Sequence, residues 1–249
     1  MPRLDILLAR NLGVSRSGAT RLLRGGHVHD EKGAVLDDGR RQLPPSDLPC
    51  TIVVDGTEHR LFARSEVLLH KPIGTVTALR DDRHPTAYAL VQDAPLAGEL
   101  RAVGRLDLDA SGLLMWTTDG TLLHRLTHPR WAIERTYHVA VASQWSAPSD
   151  DLVLSDGHRP NIAALAELTE SDAHPALVHA PGARRLATIT LTSGRFHEVK
   201  RIFAELGAMV LSLCRVRYGS VELPRTLAAG AWEPIDLRAH FRGIAPVDE

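Results

Sequence analysis

The stretch VGRLDLDASGLLMWTTDG, residues 103–120, places two aspartates and an arginine between glycines and directly before an apolar run. Gly104 and Gly112 permit tight backbone turns, and the run LLMWTT is typical of a buried β-strand. We therefore predict a loop held against a sheet, with Asp107 fixed rigidly at the edge of a hydrophobic core. A rigid carboxylate in this position can act as a nucleophile, a general base or a metal ligand.

Asp109 follows Asp107 by two residues, so an extended backbone would point both carboxylates to the same side. Turn-forming aspartates that only cap backbone groups are an alternative interpretation. An EF-hand calcium loop is not indicated, because its glycine and distal glutamate are missing. The 13 histidines include no HExxH pattern, and His124 and His128 fit the end of a surface helix better than a zinc site. The sequence predicts no metal site.

Several common enzyme classes have no support in the sequence. It contains no Walker loop, no GxGxxG and no GxSxG, which are the signatures of nucleotide hydrolysis, dinucleotide binding and serine hydrolysis. Asp107 and Asp109 are too close in sequence to flank a glycosidic bond from opposite sides.

Charge is balanced over the 249 residues, with 29 basic and 30 acidic side chains, but it is unevenly distributed. Residues 1–28 contain five arginines and one acid, and residues 184–217 contain seven basic residues and two acids. Two basic segments in an otherwise acidic chain indicate contact with a polyanion, although solvated surface faces would give the same pattern.

The two cysteines, Cys50 and Cys214, are too few for a disulfide framework. Without a signal-peptide pattern or a long apolar run, we expect a cytoplasmic protein and no membrane span.

Residues 1–48 are predicted to form a small separate domain with two helices and a hairpin. The leucines of LDILLARNL share one face of a helix that ends at a glycine. Ser15 is in position to cap a second, arginine-rich helix, and HVHDEKGAVL predicts a β-hairpin. Arginines concentrated on one helix suit contacts with phosphates. The Pro-rich segment that follows predicts a linker over residues 49–65.

Residues 66–249 predict a second domain in which short apolar runs are separated by Pro, Gly and Asp. These runs predict β-strands over 66–70, 76–79, 113–118, 137–142, 162–168, 186–192 and 208–216. A helix is predicted from about Phe196, because the apolar residues that follow have helical spacing. The predicted fold class is α+β: a small N-terminal α/β domain, then a domain with a mixed, mainly antiparallel sheet flanked by helices.

Three stretches in the second domain together resemble the motifs of pseudouridine synthases. They are HKPIG (70–74), GRLDLDASGLL (104–114) with RTYHV (135–139), and SGRFHEVKR (193–201), in this order and at this spacing. The N-terminal RLDILLARNLGVSRSGATRLLRGGHV resembles an S4 RNA-binding domain. RDDRHPTAYALV and GRFHEVKRIFAELG are most similar to the ribosomal small-subunit type of these enzymes. The resemblance extends from Arg3 to about Pro234.

The resemblance implies an enzyme that isomerises a uridine within RNA to pseudouridine, with no metal, nucleotide or redox cofactor. It implies Asp107 as the catalytic carboxylate and Tyr137 as the side chain that stacks on the target uracil. Lys200 would be the cation paired with Asp107, and Arg105 would help to displace or replace the extruded base. Extrusion is required because the reacting atoms are inaccessible in a stacked helix. By pattern alone, Tyr137 would also fit the core and Lys200 a solvated helix face.

A further set of basic residues is expected to contact RNA. These residues are Arg3, Arg16, Arg21, Arg24, Lys71, Arg195 and Arg201. The expected partner is ribosomal RNA or an assembling small ribosomal subunit. We expect a monomer, since RNA would occupy the basic faces.

Two positions depart from the family's pattern. Ala110 replaces the usual hydroxyl residue, so a hydrogen bond beside the catalytic segment is expected to be missing. Glu198 stands where the family generally has glutamine, and an acid there could compete for the cation of Lys200.

The alternative functions are a large-subunit ribosomal RNA synthase of the same family, a non-catalytic RNA-binding assembly factor, and a nucleoside hydrolase. The S4-like segment and the missing second carboxylate disfavour the hydrolase.

Overall fold

The computed structural model describes residues 1–149 and 151–245, and these residues form two units. The first unit comprises residues 1–65 and 93–100, and the second comprises residues 66–92 and the described residues from 101 onward. Within these ranges no helix is long and apolar enough to cross a membrane.

The first unit consists of two helices and a three-stranded antiparallel sheet with the strand order β1-β2-β3. Its elements are α1 (Leu4–Leu12), α2 (Arg16–Arg24), β1 (Val28–Asp30), β2 (Cys50–Val54) and β3 (Thr57–Leu61). The leucines of α1 form the centre of a separate hydrophobic core. Gly13 ends α1 in the left-handed conformation, and the Ser15 hydroxyl caps α2 by accepting the Gly18 N–H at 3.1 Å.

The predicted linker over residues 49–65 is wrong, because most of that segment is β2 and β3. The predicted hairpin in HVHDEKGAVL is short: His29 is bridged to Val35, and the N–H groups of Asp30 and Leu36 donate to the carbonyls of Ala34 and Val28. β1 also pairs along β2, and Ile52 and Val54 are buried in the core of the unit.

The second unit is built on a nine-stranded mixed sheet, counted over the described part of the chain. Its elements are β4 (Glu66–Lys71), β5 (Arg101–Ala102), β6 (Ala110–Thr117), α3 (Gly120–Thr127), β7 (Arg135–Val141), β8 (Ile162–Glu167), β9 (Arg185–Leu191), α4 (Glu198–Glu205), β10 (Val210–Tyr218), β11 (Val221–Glu222), β12 (Trp232–Pro234) and α5 (Leu237–His240). The strand order is β12-β4-β6-β10-β7-β9-β8, with β5 beside β6 and β11 beside β10. β6 and β10 run parallel, and the other described pairs are antiparallel, which confirms the predicted fold class.

The predicted strand over residues 76–79 is not formed. Val76 makes only an isolated bridge with Thr86. The hydroxyl of Thr77 instead donates to the Leu106 carbonyl at 2.8 Å and accepts the Leu106 N–H at 3.1 Å. This segment therefore supports the loop before β6 rather than extending the sheet.

Gly112 fixes the pairing of β6 with its neighbours. It lies opposite Lys71 on β4 and Arg215 on β10, and its φ is +108°. A Cβ atom at this position would lie 2.3 Å from the carbonyl oxygen of Arg215. Only glycine fits so close an approach, and the approach sets where the loop before β6 enters the sheet.

Candidate active site

A cavity of about 220 Å³ lies where the loop before β6 meets the loop before α4. Its lining includes all four predicted catalytic residues, Arg105, Asp107, Tyr137 and Lys200, together with Arg195. Tyr137 projects from β7 and is only 8 % exposed, whereas Arg105 is exposed. The fold thus brings GRLDLDASGLL, RTYHV and SGRFHEVKR to one cavity although they are far apart in the sequence, whereas no residue of HKPIG lines it.

Asp107 is held in the loop before β6 with its carboxylate partly open to solvent. Its side chain is 30 % exposed, and its carbonyl accepts the Ala110 N–H at 3.2 Å, which closes a turn. The Thr77 hydroxyl forms hydrogen bonds with both the carbonyl and the N–H of the adjacent Leu106. The carboxylate is therefore presented to the cavity from a rigid backbone, as the sequence predicted.

His197 is a cavity residue that sequence analysis missed. Its Nε2 lies 3.6 Å from Oδ2 of Asp107, and its ring stacks on Phe196 with centroids 3.8 Å apart. Its backbone has a φ of +52°, at the position immediately before α4. The signal that could have found it is its place within SGRFHEVKR, between Arg195 and Lys200.

The predicted ion pair between Lys200 and Asp107 is wrong. The Nζ of Lys200 lies 2.6 Å from each carboxylate oxygen of Asp109. Burial acts to raise the pKa of Asp109, but the hydrogen bond and charge of Lys200 outweigh it, so the pKa is lowered. Asp109 therefore ties the loop before β6 to α4, while Asp107 faces His197.

The predicted role of Lys71 as an RNA contact is also wrong, because the residue is fully buried. Its Nζ donates to the carbonyls of Pro72 at 3.0 Å and Ala110 at 2.7 Å. Burial lowers the pKa of Lys71 to about 8, although the charges of Asp107 and Asp109 act to raise it. Lys71 joins the end of β4 to the start of β6, next to the loop that carries Asp107.

Arg215 is a second buried cation, and the sequence identified it only as part of a basic segment. It is 2 % exposed, lines the cavity, and donates from Nε to the Leu113 carbonyl at 2.9 Å. Its guanidinium carbon lies 5.3 Å from the centre of the Tyr218 ring. A buried guanidinium held by β6 and an aromatic ring adds fixed positive charge to the cavity.

The other predicted RNA contacts differ in how their charge is matched. Arg201 is bound to Asp156, and both Arg3 and Arg16 are bound to the buried Asp5 of the first unit. Ion pairing of this kind weakens the case for these three as phosphate ligands. Arg21 and Arg24 are exposed on α2, and Arg195 lines the cavity.

The two departures from the family's pattern have different outcomes. Ala110 is fully buried, and its carbonyl is the acceptor for Lys71. Glu198 does not compete for Lys200, so that expectation is wrong. Its carboxylate accepts hydrogen bonds from His158, Ser193 and the backbone N–H of Arg195 instead.

The cavity thus combines one partly exposed carboxylate with several cations, a combination that makes it the candidate active site. A family model described as RNA pseudouridylate synthase matches residues 66–205. The chain belongs to the RNA pseudouridylate synthase family.

Relatives resemble the chain over nearly its full length. Ribosomal small subunit pseudouridine synthase A of Escherichia coli (strain K12) is 34 % identical over 234 residues, covering 94 % of this chain and 96 % of the relative. The protein of the same name from Pasteurella multocida is 33 % identical over 240 residues, covering 94 % and 95 %. A solved structure described as a pseudouridylate synthase has a TM-score of 0.56 and 30 % identity, covering 96 % of this chain and 98 % of that chain.

Proposed function

We propose that this protein isomerises a uridine of small-subunit ribosomal RNA to pseudouridine, with Asp107 as the catalytic carboxylate. The small-subunit substrate is supported by near full-length similarity to relatives named ribosomal small subunit pseudouridine synthase A. The observation that carries the role of Asp107 is its meeting with Tyr137 and Arg105 in one cavity.

The proposed reaction breaks the bond between ribose C1′ and uracil N1, turns the base, and joins C1′ to C5. N1 gains a proton and the proton on C5 is released, so no oxidant or second substrate is consumed. The Asp107 carboxylate serves as the nucleophile or base for this exchange. The Tyr137 ring stacks on the uracil, which is favourable for any base because every base has a π-face.

The uridine must leave the RNA stack before it can enter the cavity, which costs a few kcal/mol. Arg105 is exposed at the cavity and is proposed to occupy the space that the base vacates. Contacts from Arg195, and from Arg21 and Arg24 in an S4-like first unit, would offset the cost through phosphate binding. Ribosomal RNA is thus the proposed partner, either free or within an assembling small subunit.

The substrate is tested by mapping pseudouridine after incubation of the protein with small-subunit and large-subunit ribosomal RNA. Each RNA is offered free and as partly assembled subunits, and carbodiimide adducts are located by primer extension. We expect one new adduct in small-subunit RNA. An adduct confined to large-subunit RNA would contradict the proposed substrate. RNA binding without an adduct in any sample would favour the assembly-factor function.

A further inference from the structure

Glu198 is buried at the start of α4 and is itself one of the residues that line the cavity. The residue is 3 % exposed. Oε1 accepts from Nε2 of His158 at 2.8 Å and from Oγ of Ser193 at 2.7 Å, and Oε2 accepts the Arg195 N–H at 2.9 Å. The cavity loop, residues 193–197, is therefore tied to Glu198 at its first residue and at its third.

His158 reaches Glu198 from the segment between β7 and β8, which is anchored at two further points. Leu154 is buried, and Asp156 binds Arg201 on α4 while its Oδ1 accepts the His158 N–H. The side chain of His158 is 13 % exposed. This anchoring brings the imidazole to the buried carboxylate from an element forty positions earlier in the chain.

We propose that Glu198 and His158 form a positioning pair that keeps the cavity loop in its RNA-binding shape whether or not His158 is protonated. The inference rests on the proposed function, because the loop carries Arg195, Phe196 and His197 to the cavity. Neutral His158 donates a hydrogen bond from Nε2 to the carboxylate, and protonated His158 donates the same bond with an added ion pair.

A glutamine in place of Glu198 would not behave in this way. Its oxygen can accept the Arg195 N–H while its NH₂ group donates to neutral His158 and to Ser193. Once His158 is protonated, either the histidine or the Arg195 N–H must face the NH₂ group of the glutamine, and two donors then meet. A glutamate at position 198 can therefore accept a hydrogen bond from His158 in both protonation states, which a glutamine cannot do while it also accepts the Arg195 N–H.

The charged groups next to this pair do not blur the effect. These groups are Arg195, whose backbone N–H donates to Glu198, and Arg201, which binds Asp156. The Arg201 hydrogen bond lowers the pKa of Asp156, which therefore stays ionised above pH 5.5. His197 precedes Glu198 in the chain and is present in the wild type and in every variant, so all the proteins that are compared share it.

The test is the pH profile of kcat/KM for E198Q against the wild type, measured by pseudouridine formation between pH 5.5 and 8. At pH 8 we expect the kcat/KM of E198Q to be lower than that of the wild type by about threefold or less. At pH 5.5 we expect it to be lower by at least about 10-fold. In E198Q/H158N the extra loss at low pH should disappear, since asparagine does not titrate.

The matched control is E205Q, the same change at an exposed position on α4. It should follow the wild type at every pH. A wild-type-like profile for E198Q, or a low-pH loss that persists in E198Q/H158N, would overturn the proposal.

Amide hydrogen exchange gives a readout that needs no activity. In the wild type, the protection factor of the Arg195 amide should be the same at pH 8 and pH 5.5. In E198Q it should fall about 10-fold at pH 5.5 only, and in E198A it should fall about 10-fold at both pH values. Equal protection in all three would overturn the positioning pair. A wild type that modifies no RNA but shows this exchange pattern would overturn the proposed function and leave the pair standing.

Discussion

Asp107 and Asp109 show how two carboxylates two positions apart acquire different tasks. Lys200 binds both oxygens of Asp109, while Asp107 keeps a partly exposed side chain beside His197. A carboxylate held by a lysine is committed to structure, whereas one facing a cavity is available to a substrate. The structure therefore favours Asp107 as the reacting group and gives Lys200 and Asp109 a joint anchoring role.

That joint role predicts non-additive effects. D109N and K200Q should each lower kcat/KM by about 10-fold, because the loop before β6 loses its anchor on α4. The double variant should also lose about 10-fold, so the coupling energy should be about 1.4 kcal/mol, the equivalent of one tenfold loss. Steady-state kinetics of the four proteins gives the cycle. Fully additive losses would contradict a shared role.

His138 makes the stability of the second unit depend on pH. Its Nδ1 accepts the His174 N–H at 3.0 Å, and burial, followed by the charges of His174 and Arg225, lowers its pKa to about 4. The unfolded chain binds this proton near pH 6.5, so it holds more protons than the folded state between the two values. The free energy of unfolding is therefore fully retained above about pH 6.5 and falls as the pH drops towards 4.

H138N tests this dependence, because asparagine keeps an acceptor for His174 but does not titrate. Between pH 7.5 and pH 5 the wild type should lose on the order of 1 kcal/mol more unfolding free energy than H138N, allowing for solvent screening. Urea denaturation at the two pH values measures the difference. Equal losses in both proteins would contradict the assignment to His138.

At the scale of elements, the contact between β6 and β10 positions the loop that carries Asp107. It is the parallel pair in the described sheet, and Gly112 meets Arg215 at its end. Lys71 on β4 secures the same point from the other side through the Ala110 carbonyl. The loop that carries Asp107 is thus fixed where three strands meet.

G112A should therefore damage both stability and activity. The new Cβ would lie 2.3 Å from the Arg215 carbonyl oxygen and the backbone would be strained by its φ of +108°, so a cost of at least about 3 kcal/mol is expected. Thermal melting and pseudouridine formation measure the two effects. G120A is the control, since no atom lies within 4 Å of the new Cβ, and it should change stability by less than about 0.5 kcal/mol. A melting temperature unchanged in G112A would refute the role of this contact.

Local patterns were sufficient to predict the α+β class, and the resemblance to pseudouridine synthases predicted four of the residues that line the cavity. They could not predict which side chains pair there. Lys71 reads as an exposed cation, but β4 lies between β6 and β12 and all six of its residues are buried. Lys200 binds Asp109 rather than Asp107, and this choice depends on how α4 packs against the loop before β6. Glu198 meets a histidine in a segment without regular structure, and no periodicity encodes such a contact.

At the scale of the whole molecule, positive charge lies in both units although the net charge is only −1. In the first unit, Arg21 and Arg24 are exposed three positions apart on α2, so they lie on the same face. Phosphate contacts from such a pair add affinity without reading sequence.

R21A/R24A should therefore weaken RNA binding by roughly 10-fold at moderate salt and leave kcat unchanged. The slope of log affinity against log salt should fall by about 1 for each phosphate contact removed. R60A removes an exposed arginine from β3 and serves as the control. Filter binding across a salt series measures both quantities. A salt slope unchanged in R21A/R24A would exclude α2 from the RNA interface.

The central claim, that Asp107 drives uridine isomerisation, is tested most directly by release of tritium from uracil C5. Small-subunit ribosomal RNA labelled at that atom is incubated with the wild type and with D107N, and RNA affinity is measured in parallel. We expect the wild type to release about one equivalent of tritium per RNA and D107N to release none, with RNA affinities within about twofold of each other. Release by D107N at the wild-type rate, or none by the wild type, would contradict this claim.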